Sequence, residues 1–182
     1  MRLALLVSVA VSVRYVALLR AVNVGGRFVK MEQLRRIFEA LKFTNVKTLI
    51  TSGNVLFEAP LKPRDIESAV EKRLQKELGY EVLTFVRTIP EMQAVAAQEP
   101  FKQSTGDSLH VVFLKQKPSR DAERALLAAA TDVDAFHVKG REAYWLIRGG
   151  FSDSKFSGAK LEKLLGPGTA RNIKTVKRLA AP

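Results

Sequence analysis

Three short polar clusters hold the side chains best suited to chemistry: Arg20, Asn23, Gly25 and Gly26; then Ser52, Gly53 and Asn54; then Arg171, Asn172 and Thr175. The chemistry they fit is anion recognition. A guanidinium grips a carboxylate or phosphate through two parallel hydrogen bonds. A glycine pair at a turn exposes backbone N–H groups that attract negative charge. Each cluster also has a purely structural reading. Gly25-Gly26 fits a turn that needs positive φ, and it lacks the spacing of a Walker loop or a dinucleotide fingerprint. Ser52-Gly53-Asn54 fits a tight hairpin. Arg20 falls late in an apolar run, so it needs a partner, either a carboxylate of the chain or a bound anion. Arg171-Asn172 reads as the first turn of a helix, where free N–H groups favour anions or a local cap.

Other chemistries find less support. The sequence has no Cys, which excludes a thiolate site, and only two His, His110 and His137, which form no helical pair and would have to converge with carboxylates to hold zinc. A carboxylate-bound magnesium stays open. Ser52 is not in a nucleophile elbow. No cofactor or metal is therefore expected, and the sequence assigns no catalytic residue and leaves open whether the protein is an enzyme.

The net charge of +12 and a pI near 10.2 favour a phosphate-bearing partner such as nucleic acid or a phosphorylated small molecule. A basic proteome with no such partner is the alternative. No run is apolar enough for a confident membrane helix, and the absence of Cys fits the cytoplasm. Residues 1–13 form an apolar leader behind Arg2, read as a late-start artefact, an added edge strand or a signal, in that order of preference.

The clusters must be positioned by elements whose periodicity is legible. Residues 15–24 read as a buried strand, and 31–41 as a helix with Met31, Leu34, Ile37, Phe38 and Leu41 on one face. Strands are expected at 46–51 and 54–58, a helix from Pro63 to Leu78 capped by Gly79, and a strand at 81–87. After a short helix at 90–98 the pattern restarts. Strands are expected at 109–115, 133–138 and 142–148, and helices from Ser119 to 130 and from Ser154 to Leu165. A terminal helix is expected from Thr169, with Thr169 as its N-cap. Tyr144 and Trp145 fall on opposite strand faces, one in the core and one available for stacking.

The expected fold is α+β: duplicated ferredoxin-like βαββαβ units with a terminal helix, packed as one compact protein. The first unit spans 14–88. The second, βαββα with the C-terminal helix, spans 89–182. A strand–helix–strand crossover makes strands 15–24 and 46–51 parallel, which brings Asn23–Gly26 and Ser52–Asn54 to one edge. Arg20 and Arg171 are expected to approach a single cleft there.

Taken as a set, Tyr15-Val-Ala-Leu-Leu-Arg20, Asn23-Val-Gly-Gly26, Ser52-Gly-Asn-Val55 with Phe57, Pro100-Phe101, and Thr169, Arg171, Asn172 and Thr175 resemble the uncharacterised bacterial "domain of unknown function 1697" family, over about 15–180. The resemblance implies a repeated ferredoxin-like unit and no established activity. The family pattern has Gly where this chain has Ala21 and Lys42. A lysine at 42 argues against a left-handed helix end there.

Overall fold

In the computed structural model, the residues described are 12–23, 25–26, 28–49 and 53–181, with the side chain of Phe151 excepted. The leader up to residue 11, and Ser52, lie outside them.

The chain folds as the same seven-element series twice. The first is β1 (Val13–Leu19), α1 (Met31–Glu39), β2 (Thr44–Leu49), β3 (Asn54–Ala59), α2 (Pro63–Leu78), β4 (Thr84–Thr88) and α3 (Ile89–Ala96). The second is β5 (Ser108–Leu114), α4 (Arg120–Ala128), β6 (Asp134–Lys139), β7 (Glu142–Ile147), α5 (Gly158–Leu165), β8 (Gly168–Asn172) and α6 (Ile173–Ala180). The sheets run β2-β3-β1-β4 and β6-β7-β5-β8, with every neighbouring pair antiparallel. Strands β1 and β2 are thus parallel, separated by β3.

The largest correction is at the C-terminus. Thr169 does not cap a helix; it lies inside β8, and the second unit is βαββαβ like the first. The segment alternates, with Thr169 and Arg171 buried and Ala170 exposed. Gly, Ala and Asn are weak strand formers, and pairing with β5 overrides that propensity. Asn172 is the N-cap of α6, its Oδ1 accepting from Lys174 N at 2.9 Å. Helix α5 starts at Gly158, not Ser154, because Ser157 caps it and Ser154 bonds Asp134. Trp145 offers no stacking platform: both it and Tyr144 are buried, and its Nε1 donates to Asp134 Oδ1 at 2.8 Å.

Three apolar clusters hold the layers together. Leu34, Ile37, Phe38, Ile66, Val70 and Leu74 of α1 and α2 cover the outer face of the first sheet. Leu126 and Leu161 of α4 and α5 cover the second. Between the sheets, Val16, Leu18, Phe85, Leu109, Val111 and Phe113 pack with the buried faces of α3 and α6.

Both departures from the family glycines keep a glycine-like backbone. Ala21 has φ 52° and Lys42 has φ 64°, so the left-handed turn after α1 forms despite the lysine. Each side chain held in that region costs about 1–2 kcal/mol.

Candidate functional site

The edge where β1 ends is organised by one buried guanidinium. Arg171 is 8% exposed. Its Nε donates to Asn54 Oδ1 at 2.7 Å, and one terminal nitrogen donates to Thr169 Oγ1 at 2.8 Å and to the Ala170 carbonyl at 2.9 Å. The other reaches across to the Leu19 carbonyl, the last of β1, at 3.0 Å. Burial pushes its pKa down to about 10. Asn54 in turn donates to the Leu49 carbonyl at 3.2 Å. One arginine from the second unit therefore ties the ends of β1 and β2 and the start of β3 in the first.

Gly53 stands beside this tie with φ 72°. Its amide region approaches the chain so closely that a Cβ would meet Val22 Cγ1 at 2.6 Å and Leu19 Cβ at 3.1 Å. Only glycine fits both demands. Its carbonyl accepts from Leu19 N at 2.8 Å. Gly25 and Gly26 also take positive φ, but open space surrounds both, so their need is conformational alone. Asn23 Oδ1 accepts from Val29 N at 2.8 Å and closes the loop on itself. The loop then exposes Lys30 and Phe28, the latter 73% exposed.

Arg20 follows β1 and is half-buried. It finds a carboxylate of the chain: its two terminal nitrogens donate to Glu162 of α5 at 3.0 and 2.7 Å. That pairing holds the Glu162 carboxyl below its usual range. Thus Arg20 turns from the end of β1 toward α5, while Arg171 of β8 comes to the same strand end through the sheet interface. Thr175 is half-buried in the first turn of α6, and Asn172 Nδ2 donates to Ser108 Oγ at 3.3 Å.

The matching position in the other unit went unremarked in the sequence. Arg87 of β4 is 1% exposed and makes the mirror-image crossing. Its Nε donates to Glu142 Oε1 and one terminal nitrogen to the Leu114 carbonyl, the last of β5, each at 2.7 Å. Register proves the equivalence. Arg87 faces Val16 as Arg171 faces Val111, and Asn54 faces Leu18 as Glu142 faces Phe113. The available signal was the shared pattern of an arginine one residue before a Thr or Asn helix cap. Arg141 of the β6–β7 turn also pairs with Glu91 of α3 at 2.9 Å. Glu91 loses some solvation, yet hydrogen bonds from Thr88 and the charge of Arg141 hold its carboxyl below the usual range.

Ser108 gives His110 a polar partner that the sequence did not signal. Two residues apart on β5, they share a face, and Ser108 Oγ lies 2.9 Å from His110 Nε2. Burial lowers the His110 pKa.

Helix α6 completes this edge. Its buried stripe is Ile173, Val176, Leu179 and Ala180, while Lys174, Lys177 and Arg178 are exposed, and the helix contains no acidic residue. Elsewhere the carboxylates are engaged: Glu32 with Arg35, Glu77 with Arg73, Glu71 with Lys115 and Glu162 with Arg20. Among the described residues, no cluster of three or more His, Asp or Glu could hold a metal ion, and no helix is long and apolar enough to cross a membrane.

Residues 13–144 match a family described as "Protein of unknown function (DUF1697)". The chain belongs to this family. Among solved structures it is similar to the conserved bacterial protein SP0830 from Streptococcus pneumoniae. Identity is 19% with a TM-score of 0.70, over 93% of this chain and 98% of that one. At that identity the likeness is one of fold. No curated protein matches the chain.

Proposed function

We propose that this protein is a cytoplasmic binding module for a phosphate-bearing polymer, with single-stranded nucleic acid the best fit. The observation that carries the reading is the face of α6. Three exposed cations stand there without an acidic neighbour in the helix, on a protein several of whose carboxylates pair with other cations. Arg171 fixes the start of α6 to the end of β1, from which the loop bearing exposed Phe28 and Lys30 departs. A basic helix face and an exposed ring are the two elements that backbone contacts and base stacking use.

The test is fluorescence anisotropy of a mixed-sequence oligonucleotide across salt. Log K should fall by about 0.7 per phosphate contact for each unit of log salt. Reversing Lys174, Lys177 and Arg178 to Glu should abolish binding without unfolding the chain. No binding at about 50 mM salt removes the proposal.

A second reading places a small anion, nucleotide-like, at the edge of Asn23, Ser52 and Arg171. One comparison favours it: Asn54 and Thr175 occupy the positions that Glu142 and Glu91 hold in the other unit. Two carboxylate positions are thus neutral beside a retained guanidinium. A nucleotide at ~100 times its Kd would stabilise the fold by about 2.7 kcal/mol in a thermal-shift screen. A flat screen would remove this reading.

A further inference from the structure

The two edge strands of the repeat end their sheets differently. In the first unit β4 is sealed by α2. Thr84 N donates to Glu71 Oε1 at 2.8 Å and Val86 N to Glu67 Oε1 at 2.9 Å. These amides point away from β1, because alternate residues of an antiparallel edge strand make the ladder bonds. Lys115, just past the end of β5, adds a cation to the same two carboxylates, 2.5 Å from Glu71 and 4.0 Å from Glu67.

In the second unit the counterparts of Thr84 and Val86 are Gly168 and Ala170, paired with Leu114 and Val112 as Thr84 and Val86 are with Leu19 and Ala17. Their amides turn outward in the same way. Among the described residues neither amide has a carboxylate partner. The reason lies in the helix. Helix α2 has 16 residues and α5 only 8, and aligning their C-terminal caps puts Gly158, the first residue of α5, where α2 carries Glu71. Beside this shorter helix, between α5 and the edge strand β8, lies a cleft of about 440 Å³. Val112, Trp145, Leu161 and Leu165 line its body, Gly168 and Ala170 one wall, and Arg20 stands at its rim. Arg20 follows β1 as Lys115 follows β5, so the cation of the first unit has its counterpart too.

We infer that this cleft binds a small carboxylic acid with an apolar body. The carboxylate takes the place that Glu67 and Glu71 fill in the first unit, accepting from the outward amides of β8 beside Arg20. The apolar body lies along α5, against Trp145 and the two leucines. The volume lies within the range of small-ligand sites, and an apolar lining with few placed polar groups is their usual composition. The first unit supplies the pattern of recognition: two strand amides and one cation around carboxylate oxygens. Arg20 is held by Glu162 at the rim, and an incoming carboxylate exchanges with it. This site is independent of the proposed polymer-binding face on α6.

The full chain is titrated with 4-phenylbutyrate and, separately, with 4-phenylbutyramide, which has the same body and no charge. Trp145 is the single tryptophan, so its fluorescence reports on the cleft, and amide NMR reports on Gly168 and Ala170. The acid should shift both amides and Trp145 saturably, and the amide should bind at least about tenfold more weakly. Ala170→Pro deletes one outward N–H while the ladder bonds of β8 stay, a substitution edge strands accept. It should weaken the acid at least about tenfold. Ala159→Phe fills the cleft without touching the strand, should abolish binding, and serves if the proline variant fails to fold. No saturable shift up to about 10 mM, equal affinity for acid and amide, or unchanged binding in the folded variants overturns the inference.

Discussion

Arg87 and Arg171 occupy matching strand positions and reach the matching strand end of the opposite unit, yet one meets a carboxylate, Glu142, and the other an amide, Asn54. Burial lowers both pKa values, with Glu142 opposing the shift at Arg87. The difference separates two roles that a buried arginine usually combines. What both crossings keep is the fork of donors tying a foreign strand end through its last carbonyl. Charge pairing with the β-strand partner is kept at one crossing and absent from the Asn54 contact at the other. The arginines are thus retained as geometric ties, and only one of those contacts is also an ion pair.

This comparison can be broken most directly at Arg87. Arg87→Met leaves Glu142 without its buried cation and should cost about 3–5 kcal/mol in denaturant unfolding. Arg171→Met strands the Leu19 carbonyl and Asn54 but no such carboxylate, so the loss should be smaller, about 1–3 kcal/mol. Equal losses would mean that charge is irrelevant at both crossings. Ala21→Gly and Lys42→Gly relieve left-handed strain and should each raise stability by about 0.5–1 kcal/mol, net of the entropy of glycine. A decrease in either would show that the side chain makes up for its backbone.

The sealed and open edges invite a pH test. Burial raises the Glu67 pKa above its unfolded value. The folded state therefore holds the proton more tightly, and this group's contribution is fully present below the unfolded pKa and lost as pH rises through the folded one. Glu67→Gln should flatten stability across the mildly acidic range just above the usual carboxylate pKa, as measured by urea unfolding at a series of pH values. The smallest effect belongs to Phe28→Ala, which should change stability by less than about 0.5 kcal/mol and act only on ligand.

Much of this was legible beforehand, for particular reasons. The Pro63 start and Gly79 end of α2 are local signals, and the structure has both, with Gly79 at φ 78°. The repeat was visible as element order, and the shared edge of the β1 and β3 clusters followed from crossover handedness. Strand β8 was not legible, since five residues of weak propensity become a strand only when β5 lies alongside. The partner of Arg20 was hidden too: Glu162 is 142 residues away, and no spacing rule connects them. Arg87 had the same pattern as Arg171, an arginine just before a helix cap, but its partners Glu142 and Leu114 are too far along the chain for any spacing rule to connect them.

Reciprocal crossing has a historical meaning. When residue i of one half meets residue j of the other, and j meets i, the contact has the form of the isologous interface of a two-fold homodimer. In a homodimer one gene writes both crossings, so a Glu-to-Asn change would strike both at once. Carrying the two halves on one chain frees each crossing to drift alone. Asn54 opposite Arg171 and Glu142 opposite Arg87 are two different settings of that one contact in a single chain.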